Sequence, residues 1–160
     1  LRFNIEEVPV VGAKAAGVKA MNLKADDELQ SAFICNTSSF YLLTQRGSLK
    51  RVSTEEIPAT SRAKRGLQVL RELKNKPHRV FLGGAVSEQG FIGDLFSTEV
   101  EDGEQTLVIQ SNNGTIYEAI LQDLNLSERT SNGSFISDTI SDEEVYDAYL
   151  KEIFKEDKEN

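Results

Sequence analysis

Apolar and polar residues follow one another in short runs along this chain, which is the pattern of β-strands rather than of long helices. Residues 40–44 are apolar and aromatic, and residues 49–53 alternate between apolar and polar after a short turn. Residues 107–109 and 115–117 repeat this arrangement around an Asn-Gly pair, which supplies the positive φ of a tight hairpin turn. The pattern therefore predicts two β-hairpins of the same design.

The N-terminal part of the chain contains an internal repeat at a spacing of 49 residues, without a gap. Residues 2–21 match residues 51–70, and the identical pairs are Arg2/Arg51, Glu6/Glu55, Glu7/Glu56, Pro9/Pro58 and Gly17/Gly66. A weaker third copy follows at a spacing of 67, in which residues 46–49 match residues 113–116. Repeats of about 40 to 50 residues are typical of propeller blades and related arrays.

From this repeat we predict an all-β domain over residues 1–145, built from four-stranded antiparallel blades. An extra hairpin near residues 90–105 would account for the longer second spacing. Leu1 aligns with Lys50, so the first repeat is expected to lack its leading strand, and the chain to be a piece of a longer protein. The three repeats have approximate bounds of 1–35, 36–84 and 85–145.

One helix is predicted at the C-terminal end, over residues 141–155. Ser141 and Glu144 fit a capping box, and Val145 and Tyr149 then lie one helical turn apart on the same face. A helix that packs against the last repeat and a helix that binds a partner both fit this pattern. Residues 156–160 are predicted to form a charged tail.

The charge of the chain is distributed unevenly, and this changes the expected partners. The formal net charge is −8, but residues 44–80 carry +7 while residues 84–160 carry −14. A run of cations is often only a solvated surface, yet here the cations recur at loop positions of a repeat. Cations spaced along one rim suit the phosphate backbone of DNA.

The sequence offers little for catalysis or for a metal site. The single histidine, His78, has no second histidine or cysteine nearby, so we expect it to be structural or part of a rim. The single cysteine, Cys35, excludes an internal disulfide framework. It lies in the apolar run 32–35, which we predict to be a strand with a buried thiol. No apolar stretch is long enough for a membrane span, and we expect a soluble protein without a membrane partner.

Residues 40–52, 56–58 and 62–67 together resemble one blade of the C-terminal domain of bacterial type IIA topoisomerase A subunits. The resemblance implies a β-pinwheel, which is a propeller-like disc of four-stranded blades that binds and bends DNA around a basic perimeter. The gyrase branch of this family carries a Gln-Arg-Arg-Gly-Gly-X-Gly box that this sequence lacks, and the loop 62–66 is similar to a degenerate form of it. This departure favours the topoisomerase IV branch.

The resemblance further implies a non-catalytic domain that binds duplex DNA largely independently of sequence and guides the transported duplex during decatenation and relaxation. The parent enzyme would use Mg²⁺ and ATP bound elsewhere, and its location would be the bacterial cytoplasm, associated with the nucleoid. Further partners would be the A-subunit core and the companion ATPase B subunit. The alternatives are a propeller-like module that docks on a protein and the equivalent domain of gyrase. The candidate DNA-binding residues are Lys14, Lys19, Arg46, Lys50, Arg51, Arg62, Lys64, Arg65, Lys74, Lys76 and Arg79.

Overall fold

The computed structural model describes residues 1–87 and 103–154 of the chain. The strands are β1 (Ser39–Thr44), β2 (Ser48–Ser53), β3 (Val80–Val86), β4 (Gly103–Ser111), β5 (Ile116–Ile120), β6 (Ser134–Phe135) and β7 (Val145–Phe154). Short 3₁₀ turns cover Ile5–Glu7, Thr54–Glu56 and Thr139–Asp142. No helix in this part of the chain is long or apolar enough to cross a membrane.

The strands form two antiparallel sheets, which confirms the predicted all-β class. The first sheet has the order β3-β1-β2-β6, and the second has the order β5-β4-β7 among the described residues. Both predicted hairpins are present: Leu43 pairs with Leu49 in the first, and Gln110 pairs with Ile116 in the second. The two-residue strand β6 joins the first sheet from a position far along the sequence, where Ser134 pairs with Leu49.

The 49-residue repeat is visible in the backbone conformation. The 3₁₀ turns Ile5–Glu7 and Thr54–Glu56 begin 49 residues apart, and each is capped by the side chain of the preceding residue, Asn4 or Ser53. The equivalent glycines of the repeats adopt the same positive φ, which glycine tolerates without steric cost. These angles are +82° at Gly17, +86° at Gly66 and +74° at Gly133. The proposed repeat bounds stay a prediction.

Strand β1 is buried along its whole length because its two faces belong to two hydrophobic cores. Tyr41 and Leu43 pack in a core shared by both sheets, to which Leu107 and Ile109 of β4 contribute. The alternate residues of β1 pack in a second core on the opposite face, together with Val52 and Ile57. Strand β1 is therefore covered on both faces, which agrees with its continuous apolar sequence without exposed positions.

The predicted C-terminal helix is wrong. Residues 139–142 form a 3₁₀ turn, and Val145–Phe154 is the strand β7, which pairs with β4 from Val145 to Phe154. The sequence of residues 145–150 is compatible with a helix and with a strand. Its apolar residues are spaced as in a helix, but it also contains a β-branched residue and two tyrosines, which are common in strands. An isolated helix of this length is marginal in water, whereas pairing along β4 satisfies the backbone of the segment.

The predicted strand over residues 32–35 is also absent, because these residues are not assigned to a strand. Cys35 is only partly buried, and burial raises the pKa of its thiol. A strand needs a partner strand to satisfy its backbone, and the described residues supply none to this segment. Most of the predicted extra hairpin near 90–105 lies outside the described residues, because these do not include 88–102. The predicted charged tail 156–160 also lies outside them.

Candidate nucleic-acid interface

The basic loop of the second repeat is held against the first repeat by hydrogen bonds. The backbone amide of Arg62 donates to Glu7 Oε2 at 2.8 Å, and its Nε donates to the Glu7 carbonyl oxygen at 3.1 Å. Nη1 of Arg62 donates to the carbonyl oxygen of Lys19. The amide of Asn22 also donates to the carbonyl oxygen of Lys64 at 2.9 Å. Residues 19–22 and 62–64 are therefore neighbours.

The side chains of Lys19, Lys64 and Arg65 are exposed around this contact. The described residues supply no hydrogen-bond partner to their cationic groups. Ala63 has a φ of +61° and Gly66 a φ of +86°, so a tight backbone bend presents Lys64 and Arg65 between these two residues. Exposed cations on a small loop can approach phosphate oxygens without first breaking an internal contact.

A second group of cations surrounds the turn of the first hairpin. Nη1 of Arg46 donates to the carbonyl oxygen of Lys76 at 3.0 Å and contacts His78 Nε2 at 3.1 Å. The guanidinium also lies over the ring of Phe135, 5.3 Å from its centroid, in a cation–π arrangement. Arg79 is exposed and forms a surface ion pair with Glu72 at 3.3 Å.

His78 contacts Arg46 from the interior of the protein. Of the two roles predicted for it, a structural residue or part of a rim, its burial agrees with the structural one. It is buried, and its Nδ1 lies 3.1 Å from Thr44 Oγ1. Because Arg46 can only donate, Nε2 must accept and the ring proton must be on Nδ1. Burial, and secondarily the Arg46 guanidinium, lowers the pKa of His78 below its ordinary value.

Lys50 is not a surface cation, which corrects its place among the candidate DNA-binding residues. Its relative exposure is 2%, and its Nζ donates to three backbone carbonyl oxygens. These are Val69 at 2.5 Å, Arg129 at 2.6 Å and Ser131 at 2.7 Å. Burial lowers its pKa to about 8. An alternating strand pattern shows which residues share a face, but not which loop covers that face, so the sequence did not reveal this.

The eleven candidates therefore divide into three groups. Lys50 is buried and committed to the interior. Arg46, Arg51 and Arg62 are half-buried, and each of them donates to a backbone carbonyl oxygen. The exposed candidates are Lys14, Lys19, Lys64, Arg65, Lys74, Lys76 and Arg79.

Arg129 is a residue that the sequence analysis missed. Its amide donates to Glu56 Oε2 at 2.6 Å, and its Nη1 donates to the carbonyl oxygen of Gln68. It lies 67 residues after Arg62, which is the second repeat spacing, so the alignment contained the signal. The segment around it is otherwise acidic, so the net charge of this part of the chain does not indicate a functional cation.

The second sheet has the opposite electrostatic character. Glu118 of β5 and Tyr149 of β7 both pair with Val108 of β4, so they lie on the same face of the sheet. Asp147 lies on that face too, and all three side chains are exposed. Within residues 1–87 and 103–154, no three histidine, cysteine or acidic side chains are grouped as metal ligands would be.

Comparison with known families gives a match over the first two repeats. A family described as "DNA gyrase C-terminal domain, beta-propeller" matches residues 1–36 and 39–81. Among curated proteins, the chain is similar to the A subunit of DNA topoisomerase 4 from Streptococcus pneumoniae, with 85% identity over 99% of the chain and 19% of the relative. The corresponding protein of Bacillus subtilis is 45% identical over 86% of the chain and 15% of the relative. The chain spans less than a fifth of the length of either relative.

Two solved structures have a similar fold. The crystal structure of the C-terminal domain of DNA topoisomerase IV superposes with a TM-score of 0.78 at 33% identity. The match covers 94% of this chain and 42% of that structure. The structure of the DNA gyrase A C-terminal domain superposes with a TM-score of 0.65 at 15% identity, over 92% of this chain and 45% of that one. The second likeness concerns the fold alone.

Proposed function

Because the chain belongs to the DNA gyrase C-terminal domain family of β-propeller domains, we propose that it is a non-catalytic domain that binds duplex DNA through phosphate contacts. The observation that carries this proposal is the group of exposed cations Lys19, Lys64 and Arg65 at the contact between the first two repeats. Phosphate contacts position a duplex without reading its bases. Binding is therefore expected to be largely independent of sequence.

The charge distribution supports a duplex path that is confined to one part of the molecule. The cations of residues 44–80 attract the duplex, and the acidic residues of the second sheet repel it. Such an arrangement favours a bent duplex that follows the basic side over a straight duplex that crosses the whole domain. The affinity should be in the range of about 10⁻⁴ to 10⁻⁶ M that non-specific contacts give at physiological salt.

We propose that the parent protein is the A subunit of a bacterial topoisomerase IV, in which this domain guides the transported duplex during decatenation and relaxation. The high identity to the pneumococcal protein supports this assignment, as does the absence of the gyrase box from the loop 62–66. The partners would then be the A-subunit core and the companion ATPase B subunit, in the cytoplasm near the nucleoid. Mg²⁺ and ATP would be bound by other parts of the enzyme.

The DNA-binding proposal is tested by titrating the chain with two duplexes of unrelated sequence over a series of salt concentrations. The double variant Lys64→Ala with Arg65→Ala should weaken binding to both duplexes equally. Each lost phosphate contact should lower the slope of log affinity against log salt by about 0.9. Lys151→Ala, which removes an exposed cation from the acidic second sheet, is the matched control and should leave the slope unchanged. An unchanged slope in the double variant would show that Lys64 and Arg65 are only solvated.

The role in the parent enzyme is tested by deleting the domain. ATP hydrolysis and DNA cleavage should persist, while passage of crossed or linked duplexes should be impaired, because only the guiding contacts are lost. A deleted enzyme that decatenates as well as the intact one would reject the guiding role.

A second candidate function is docking on a protein partner through the second sheet. The exposed Tyr149 beside Glu118 and Asp147 favours it, because aromatic rings and carboxylates together suit a cationic partner surface. Absence of duplex binding by the unmodified chain even at low salt would favour this candidate.

A further inference from the structure

Two contacts between successive repeats use the same hydrogen bonds at equivalent positions. In the first contact, the Arg62 amide donates to the Glu7 carboxylate and the Arg62 guanidinium donates to the carbonyl oxygen of Lys19. In the second contact, Arg129 makes the same two bonds to Glu56 and Gln68. The acceptors are 49 residues apart and the two arginines are 67 residues apart, which are the spacings of the repeat.

The surrounding backbone repeats in the same way. The Thr60 amide donates to the carbonyl oxygen of Arg2 at 2.9 Å, and the Ser127 amide donates to that of Arg51 at 2.7 Å. The positive-φ glycines Gly66 and Gly133 also have equivalent neighbours. A Cβ at Gly66 would meet Leu1, and a Cβ at Gly133 would meet Leu49 and Lys50. The two contacts are therefore copies of one joint, although the repeats they connect differ in charge.

The first joint uses an arginine, Arg62, that the sequence analysis places among the DNA-binding candidates. Nε and Nη1 of Arg62 already donate to carbonyl oxygens, so a phosphate would have to displace part of this network to use the same fork. Lys64 and Arg65 follow directly in the same loop and are exposed. The Arg62 side chain therefore anchors the loop that carries the exposed cations.

We infer that the Glu7–Arg62 joint is a latch that positions the DNA-binding loop 62–66, and that Arg62 acts through it rather than as a phosphate contact. This inference rests on the proposed DNA-binding function. The Glu56–Arg129 joint has the same bonds but holds loop 129–133, which carries no cation after Arg129. Removing the carboxylate of Glu7 takes away negative charge that should repel DNA, yet it should weaken binding because the loop 62–66 loses its anchor.

The chain supplies a matched control for this test next to Glu7 and next to Glu56. Glu6 and Glu55 are exposed acids in the same 3₁₀ turns, and the described residues supply no hydrogen-bond partner to their carboxylates. Glu6→Ala and Glu55→Ala therefore change the net charge as much as Glu7→Ala and Glu56→Ala do, without opening a joint.

The experiment measures duplex affinity of the full chain and its variants at one salt concentration. Glu7→Ala should weaken binding about two- to tenfold, as expected when a preorganised loop becomes free to move. Glu56→Ala opens the second joint, whose loop 129–133 carries no exposed cation, and it should not weaken binding. The controls Glu6→Ala and Glu55→Ala should bind as well as the unmodified chain or more tightly. Binding by Glu7→Ala that is as tight as that of Glu6→Ala, or tighter, would overturn the latch, because it would mean that only charge matters at this position.

Arg62→Lys separates a latch from a direct phosphate contact. Lysine retains the charge and can still contact a phosphate, but it cannot form the fork to Glu7 and Lys19. The latch predicts that Arg62→Lys weakens binding as much as Glu7→Ala does, and that the double variant is no weaker than either single one. An Arg62→Lys variant that binds like the unmodified chain, together with an Arg62→Ala variant whose salt slope falls by about 0.9, would show a direct contact and reject the inference.

Hydrogen exchange distinguishes failure of the latch from failure of the proposed function. The amides of Arg62 and Arg129 should exchange faster in Glu7→Ala and Glu56→Ala respectively, and not in the two controls. Unchanged exchange would mean that the carboxylate bonds do not exist in solution, and it would reject the latch whatever the DNA result. If the unmodified chain binds no duplex, the proposed function fails and the positioning role fails with it, while faster exchange would still establish the joint.

Discussion

The two hairpins of this chain have the same backbone design but opposite surroundings. Leu49 of the first hairpin and Ile116 of the second are equivalent positions, 67 residues apart. Leu49 is 3% exposed and pairs with β6, whereas Ile116 is 55% exposed and its strand β5 is an edge of the described second sheet. A strand that has neighbours on both sides can be apolar throughout, and an edge strand in water cannot be so without a risk of association.

Charge differs at equivalent positions as well. Arg46 and Arg51 of the first hairpin correspond to Asn113 and Glu118 of the second, so the repeat retains the hairpin and changes the charge. The fold of each unit and its chemistry are therefore set by different positions. Apolar positions that face a core and positive-φ glycines determine the hairpin, while the loop and edge positions are free to become basic or acidic.

The largest effect should come from the cores. Leu49→Ala should lower the free energy of unfolding by about 2 to 5 kcal/mol, because it leaves a cavity in the core shared by both sheets. Ile116→Ala at the equivalent exposed position should change it by less than about 0.5 kcal/mol. Urea unfolding followed by circular dichroism measures both. Similar losses for the two variants would show that the second sheet is covered in solution.

Lys50 should be the most costly cation to remove. Lys50→Met should lower the free energy of unfolding by about 3 kcal/mol, because partly buried carbonyl oxygens of Val69, Arg129 and Ser131 lose their donor. Lys64→Met is the matched control on the surface and should cost less than about 0.5 kcal/mol. Equal midpoints for the two variants in urea would contradict the buried assignment of Lys50.

The hairpin turns provide a third comparison, with a smaller expected difference. Gly47 and Gly114 both have positive φ, +74° and +91°, so alanine at either position is strained by about 1 to 2 kcal/mol. A Cβ at Gly47 would also clash with the side chain of Ile140, whereas a Cβ at Gly114 meets nothing within 4 Å. Gly47→Ala should therefore be the less stable variant by about 1 to 3 kcal/mol. Equal thermal stability would mean that Ile140 moves aside without cost.

The smallest effect should be a dependence of stability on pH that comes from His78, beside the first sheet. His78 has a lowered pKa in the fold and accepts a hydrogen bond from Arg46, so the unfolded chain takes up the proton first on acidification. Its contribution is constant above about pH 7 and is lost as the pH falls below about 6.5. His78→Gln should remove the part of the pH dependence that begins as the pH falls below about 7. Urea midpoints that vary with pH equally in both proteins would assign the dependence to other groups.

The second sheet has no histidine at the corresponding place. Ser111 is equivalent to Thr44, and it pairs with Val145, an apolar residue that does not titrate. A variant that introduces histidine there, Val145→His, should lose stability at every pH, because it places a polar ring in the core without the Arg46 and Thr44 partners. Stability equal to that of the unmodified chain would show that this site tolerates an unpartnered ring.

The repeat and its hairpins follow from the amino-acid sequence alone. The spacings of 49 and 67 residues, the Asn-Gly turn and the positive-φ glycines are local features, and the backbone obeys them because φ preferences and strand patterns act within a few residues. The unequal distribution of charge is likewise readable from the sequence. It indicates a basic second repeat without reference to any contact.

The contacts between these units depend on the tertiary structure. The pattern of apolar residues after Glu144 is compatible with a helix or a strand. This segment forms the strand β7 because it pairs with β4. Lys50 is a surface cation by its residue type, and the loop 129–131 that folds over it made it a buried donor. Arg62 became part of a joint because Glu7 and Lys19 lie beside it. These outcomes depend on residues far away along the chain, so no local pattern could contain them.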